Sequence, residues 1–121
     1  MSDQMDHPAH YQGWSIEPID IIKRMTFPAG CAVKYMMRLG KKGPRLEDLQ
    51  KTARYLRLIL DEGLCTGVTA ITQGMLHQVA LEAREVNVGE FLHYMADGRI
   101  AWCLEEVEAL IKGEEERHAE K

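Results

Sequence analysis

The 121-residue chain lacks the features that would assign it to a membrane, secreted or familiar catalytic class. No run of apolar residues approaches the roughly 18 that a membrane-spanning helix needs, so we expect no membrane partner. The cysteines, Cys31, Cys65 and Cys103, are far apart and form no CxxC pair, so no disulfide or zinc framework is indicated. Walker A, Rossmann and nucleophile-elbow motifs are also absent. These absences favour reduced thiols and a protein without a standard phosphate-binding or nucleophile loop.

Acidic residues outnumber basic residues over the whole chain. There are 15 Lys and Arg against 19 Asp and Glu, which gives a net charge of −4. An acidic chain disfavours general binding to nucleic acid, which normally requires a basic surface. The first six residues are polar and acidic, unlike a secretory signal, so we expect a cytoplasmic protein.

Hydrophobic spacing follows the helical period along most of the chain, and no segment alternates with the period of a strand. The predicted fold is all-α, a small bundle of five or six helices. Ser15 is the predicted N-cap of the first helix, and Pro28 and Gly30 are predicted to break the chain after it. The predicted segments are an extended arm over 1–14, one helical domain over 15–112 with helices near 15–25, 31–39, 45–62, 68–86 and 88–111, and a charged tail over 113–121.

The helix over 45–62 carries a seam of apolar residues spaced 3-4-3-4, as in a heptad repeat. Further apolar stripes follow after Val68. Together they exceed what a small bundle needs to bury, so we predict a homo-oligomer. The seam residues are Leu46, Leu49, Ala53, Leu56 and Leu60.

The positive charge that the chain has is concentrated in one segment. Eight of the 15 Lys and Arg lie between Lys34 and Arg57, where the only acidic residues are Glu47 and Asp48. Eight positive charges less two negative ones leave +6 there, so the remainder of the chain carries −10. This separation of charge favours a site for an anion such as a nucleotide phosphate, although a solvated helix face is the alternative.

Three of these cations share one helical face. Lys34, Arg38 and Lys41 are spaced i, i+4 and i+7, and they repel one another unless an anion or acidic partners lie between them. Arginine matches phosphate oxygens with a planar fork and lysine with a point charge, and Lys42 would extend the site.

Two carboxylates of the first helix offer alternatives. Glu17 and Asp20 are three residues apart and could hold Mg²⁺ or position a hydroxyl group. The alternative is that they form ion pairs with Lys34 and Arg38.

The N-terminal arm contains His7 and His10-Tyr11. The positions of His7 and His10 in the sequence, with no third ligand nearby, do not by themselves indicate a zinc site. An aromatic ring beside a histidine in such an arm could instead stack on a base.

Several motifs in order resemble the SaV-like family of small phage and prophage proteins, over about residues 7–60. One departure is Cys31, where the family pattern has Asn. The motifs are His10-Tyr11, Ile16-Glu17-x-Ile19-Asp20-Ile21-Ile22, Gly30-x-Ala32-x-Lys34-Tyr35-x-x-Arg38-x-Gly40-Lys41-Lys42-Gly43 and Glu47-Asp48-Leu49-x-Lys51-x-Ala53-x-Tyr55-Leu56.

The resemblance implies nucleotide chemistry, because that family includes a phage nucleoside monophosphate kinase that lacks a P-loop. It implies catalytic roles for Asp20, Lys34 and Arg38, Mg²⁺ arriving with the nucleotide, and action in the bacterial host cytoplasm. The implied nucleotide-binding residues are His10, Tyr11, Glu17, Lys34, Tyr35, Arg38, Lys41, Lys42 and Lys51.

Two alternatives stay open. A protein that sequesters nucleotide signals of bacterial defence systems needs the same cations but no general base and no metal. A purely structural or partner-binding helical module would bind no nucleotide at all.

Overall fold

The computed structural model describes residues 13–119, which contain six α-helices and no strand. The all-α class is therefore confirmed, and the six helices of these residues agree with the predicted five or six. None of these helices is long and apolar enough to cross a membrane. They are α1 (Pro18–Ile22), α2 (Phe27–Met37), α3 (Arg45–Glu62), α4 (Ala70–Glu82), α5 (Val86–Ala96) and α6 (Ile100–Ala119).

Helix α1 is shorter than predicted at both ends. Ser15 does not cap it, because the backbone N–H and the hydroxyl of Ser15 both donate to the carboxylate of Glu82 in α4. The helix begins instead at Pro18, whose missing N–H costs nothing in a first turn. Ser15 therefore ties the segment before α1 to α4.

Helix α2 begins at Phe27 rather than Cys31, so the prediction that Pro28 and Gly30 break the chain is wrong. Pro28 lies in the first turn, where the backbone N–H has no helical acceptor, and it therefore removes no helical hydrogen bond. A Cβ atom at Gly30 would lie 3.0 Å from Cγ2 of Ile22. The glycine thus allows α1 and α2 to pack closely.

Helix α3 has the predicted bounds and packs against both α2 and α6. Leu49, Ala53 and Leu56 of the predicted seam are buried, whereas Leu60 is exposed and Ile59 occupies the core. Burying each leucine contributes about 1.5–3 kcal/mol. Because the middle of the seam is used within one chain, it is not free for self-association.

The predicted helix over 68–86 is confirmed only in its middle, since α4 ends at Glu82. Its buried face includes Thr72, Leu76 and Val79, whereas Ile71 is 65% exposed. The segment that was predicted as one helix near 88–111 is divided at Asp97-Gly98. Gly98 adopts φ +73°, a conformation that favours glycine, and separates α5 from α6.

Helix α6 continues through Ala119, past the boundary predicted at residue 112. The reason is Glu114, which is buried and accepts a hydrogen bond of 2.8 Å from Nε of Arg45. Arg45 also donates to Glu85 at 2.7 Å. This network joins α3, the loop before α5 and the end of α6.

Candidate functional site

A pair of tyrosines marks the contact between α2 and α3. Tyr35 of α2 and Tyr55 of α3 are stacked, with ring centroids 6.3 Å apart and ring planes 13° apart. Phe27, at the start of α2, meets the Tyr55 ring edge-on at 6.0 Å. The early start of α2 is what brings Phe27 into this row of three rings.

Three cations surround the ring of Tyr35. Cζ of Arg38 lies 4.6 Å from the ring centroid, Nζ of Lys34 lies 4.9 Å from it and Nζ of Lys51 lies 5.3 Å from it. The negative face of an aromatic ring attracts each cation and offsets part of their mutual repulsion. We call these residues, with the three aromatic rings, the Tyr35 cluster, which comprises Phe27, Lys34, Tyr35, Arg38, Lys51 and Tyr55.

Two carboxylates neutralise only part of this charge. Asp48 is buried and lies 3.6 Å from Nη2 of Arg38, and Glu47 lies 3.1 Å from Nζ of Lys51. The hydrogen bond to Glu47 raises the pKa of Lys51. Within residues 13–119 Lys34 forms no ion pair. Three cations and two carboxylates therefore leave a net charge of +1 around Tyr35.

Arg38 retains an unused donor. Its Nε atom is buried, and within the described part of the chain it has no hydrogen-bond partner. Leaving such a donor unsatisfied is unfavourable, by about 1–3 kcal/mol. The guanidinium group can therefore gain from an additional acceptor.

Within residues 13–119 Asp20 forms its ion pair with Lys23 and not with the cations around Tyr35. Its Oδ1 atom is 3.3 Å from Nζ of Lys23, the C-cap residue of α1, and its backbone oxygen accepts from Nε of Arg24. The alternative pairing of Asp20 with Arg38 is not formed, because Arg38 pairs with Asp48. Glu17 is the N-cap residue of α1.

Lys41 faces a different environment from the Tyr35 cluster. Its Nζ atom lies 5.6 Å from the ring centroid of Trp14, at a cavity of about 240 Å³. Partial desolvation and the nearby charge of Arg84 lower the pKa of Lys41. Trp14 is fixed by a hydrogen bond of 3.0 Å from its Nε1 to the backbone oxygen of Met37. The shared face predicted for Lys34, Arg38 and Lys41 is thus divided between two environments.

The acidic side chains at this cavity are already engaged. Glu82 accepts from Ser15, and Glu85 accepts from Arg45. The cavity, of about 240 Å³, is smaller than the usual 300–1,000 Å³ of ligand pockets.

The structure therefore separates the predicted site residues into groups. Lys34, Tyr35, Arg38 and Lys51 lie together, while Lys41 lies at the cavity and Lys42 is exposed in the turn after α2. His10 and Tyr11 lie outside the described residues. Within residues 13–119 no group of three or more His, Cys, Asp or Glu side chains is placed to hold a metal ion.

Sequence reasoning did not assign Phe27, Asp48 or Tyr55 to the site. Tyr55 belongs to the fourth motif of the SaV-like resemblance, which begins at Glu47, but the resemblance assigned it no role in binding. Burial of the phenol, and then the neighbouring Cys31, raise the pKa of Tyr55. Cys31 is the residue at which the SaV-like pattern has Asn. This departure from the SaV-like pattern therefore lies at the edge of the Tyr35 cluster.

Residues 5–57 match the DUF3310 family, which is described as a protein of unknown function. The matched stretch is shorter than half of the chain, and it includes α1, α2 and the part of α3 that carries the Tyr35 cluster. No curated protein and no solved structure matches the chain.

Proposed function

We propose that the chain binds a nucleoside phosphate at the Tyr35 cluster and acts as a nucleoside monophosphate kinase-like phosphotransferase without a P-loop. The observation that supports this most strongly is the convergence of three cations on one tyrosine ring with only two carboxylates among them. A phosphate group would supply the missing negative charge.

The phosphate would be held mainly by Lys34 and Arg38. Lys34 has no carboxylate partner within residues 13–119, and Nε of Arg38 has an unused proton. Charge-assisted hydrogen bonds from such groups to phosphate are about twice as strong as neutral ones. Lys51 already forms an ion pair with Glu47, so it would attract the phosphate as a nearby positive charge.

The base would stack on Phe27 and Tyr55. Phe27 is 74% exposed, although it begins a helix and contacts an aromatic neighbour. Stacking of a base on an aromatic ring is worth about 1–3 kcal/mol and tolerates any base. The arrangement therefore supports binding of a nucleotide without fixing which base is preferred.

Phosphoryl transfer is the part of the proposal that rests on the resemblance to the SaV-like family. The reaction requires mainly positioning and neutralisation of charge, which Lys34 and Arg38 would supply. Asp20 would orient the acceptor, and to do so it would exchange its pairing with Lys23. Mg²⁺ would accompany the phosphates of the nucleotide. On the same resemblance we propose a phage or prophage protein of the host cytoplasm.

Binding without turnover is the second candidate. It is favoured by the pairing of Asp20 with Lys23, and by the ion pairs that already engage Asp48 and Glu47, the two carboxylates beside the Tyr35 cluster. Incubation of the protein with a labelled nucleotide and a phosphate donor distinguishes the two candidates. A new phosphorylated product indicates a kinase, whereas intact ligand recovered from the protein indicates a binding protein. If the protein binds no nucleotide, the remaining alternative is a structural or partner-binding helical module.

We also propose that the protein forms a homo-oligomer. The support is a set of exposed apolar side chains on α4 and α5, of which Leu81 is 81% exposed and Val86 is 79% exposed. Light scattering across a range of concentrations tests this directly. A mass that stays at 13.8 kDa throughout would contradict it.

A further inference from the structure

Two histidines meet on the antiparallel pair α4 and α5, outside the Tyr35 cluster and outside the stretch that matches DUF3310. Nδ1 of His77 lies 2.7 Å from Nδ1 of His93, and the ring centroids are 5.0 Å apart. At this separation only one proton fits between the two nitrogens. One Nδ1 atom therefore donates and the other offers a lone pair.

The outer nitrogen of His77 is fixed by a carboxylate. Nε2 of His77 lies 3.1 Å from Oδ1 of Asp97, and the same oxygen accepts from Nε2 of Gln73 at 3.0 Å. Because ionised Asp97 only accepts, neutral His77 carries its proton on Nε2 and directs the lone pair of Nδ1 at His93.

From this geometry we infer that His77 and His93 bind a divalent transition-metal cation such as Zn²⁺ through both Nδ1 atoms, with Asp97 holding His77 from behind. A carboxylate that accepts from the outer N–H of a metal-bound histidine is the usual support of such ligands. Imidazole suits Zn²⁺, Ni²⁺ and Cu²⁺ among the divalent ions.

Replacing the shared proton by the cation needs little movement. Two Zn–N bonds of about 2.0–2.1 Å at a tetrahedral angle place the nitrogens about 3.3 Å apart. The two Nδ1 atoms would therefore separate by roughly half an ångström, which rotation of the rings provides without movement of either helix. The backbone needs no change because residues 83–85 already hold α4 and α5 side by side.

The position is open to solvent. The His77 side chain is 37% exposed, so a cation can enter and complete its coordination with water. Two protein ligands rather than three or four imply an affinity well below that of structural zinc sites. The cluster is built from side chains one turn apart on each helix, Gln73 with His77 and His93 with Asp97.

The test uses the full-length, ¹⁵N-labelled chain, treated with a chelator and titrated with Zn²⁺ alone. Long-range ¹H–¹⁵N spectra of the imidazole rings report the metal-bound nitrogen of each histidine. We expect Nδ1 of His77 and Nδ1 of His93 to change together at one equivalent, with His118 unchanged. No change at either ring, or binding through Nε2, would overturn the inference and leave a pair that shares a proton only.

Variants give a second, independent readout of affinity. His93→Gln should weaken Zn²⁺ binding at least tenfold, and Asp97→Asn should weaken it about 10–100-fold. The matched control is Asp61→Asn, an exposed carboxylate at the end of α3, which should leave the affinity unchanged. Equal affinities for Asp97→Asn, Asp61→Asn and the unmodified chain would contradict the role of Asp97. Circular dichroism confirms that each variant remains helical.

Discussion

Arg38 and Asp48 form an ion pair that joins α2 to α3, with 3.6 Å between Nη2 and Oδ1. The Asp48 side chain is only 4% exposed, and it also accepts a hydrogen bond of 3.3 Å from the backbone N–H of Gly40. One carboxylate therefore fixes the end of α2, the turn that follows it and the first turn of α3. It also holds the guanidinium group beside the ring of Tyr35.

Asp48→Asn should destabilise the protein by about 3 kcal/mol, because it leaves a mostly buried arginine without its counter-charge. Urea unfolding at pH 7 measures this loss. The control Asp61→Asn changes an exposed carboxylate and should stay within about 0.5 kcal/mol of the unmodified chain. A loss for Asp48→Asn no larger than that of the control would show that the pair does not stabilise the fold.

The network of Arg45 with Glu85 and Glu114 should make stability depend on pH in the acidic range. The hydrogen bond from Arg45 lowers the pKa of Glu85 below its ordinary 4.5. A lowered pKa in the folded state means that Glu85 stabilises the fold above pH 4.5 and that this contribution disappears as pH falls through its folded pKa.

Arg45→Gln should therefore destabilise the protein at pH 7 and progressively less below pH 4.5. Melting temperatures of the unmodified protein and of Arg45→Gln, taken between about pH 7 and about pH 3, measure the difference. A difference that stays constant over this range would exclude a contribution of Glu85 ionisation.

Phe27→Ala should weaken nucleotide binding by about 1–3 kcal/mol, because it removes the exposed ring on which the base stacks. Stability should change little, since the side chain is mostly exposed. Calorimetric titration measures the affinity, and Leu81→Ala removes an equally exposed apolar side chain as control. Equal affinities of the two variants would argue against stacking on Phe27.

Asp20→Asn separates the kinase from the binding protein. In a kinase it should lower turnover by more than it lowers affinity, because the carboxylate would act on the acceptor during reaction. In a binding protein the affinity should stay level or rise slightly, because a carboxylate near phosphate only repels. Undiminished turnover of Asp20→Asn in an active enzyme would remove Asp20 from the mechanism.

The bounds of α3 were predictable because local signals agree there. Pro44 precedes the helix, Gly63 follows it in a left-handed conformation, and the apolar spacing between them is regular. The start of α2 was missed because a proline at the first turn of a helix gives the same signal as a proline that breaks one. For the same reason Phe27 was not predicted to lie on α2 or to belong to the site.

The candidate site was predictable only where one helix supplies it. The spacing of Lys34 and Arg38 predicted one shared face, and the structure brings both to the ring of Tyr35, which the resemblance alone had assigned to the site. Their neighbours Asp48 and Tyr55 come from the next helix, and His77 meets His93 across a helix pair. Such contacts depend on the angle and register between helices, which hydrophobic periodicity does not specify.

The most direct test of the account is a nucleotide titration that locates the ligand. Aromatic ring resonances of Tyr35, Tyr55 and Trp14 are followed while nucleoside mono-, di- and triphosphates and cyclic dinucleotides are added to the unmodified chain and to Lys34→Ala. We expect one of these ligands to shift Tyr35 and Tyr55 but not Trp14, and Lys34→Ala to weaken its binding by about 1.5–3 kcal/mol. Shifts confined to Trp14, or no shift with any ligand, would contradict nucleotide binding at the Tyr35 cluster.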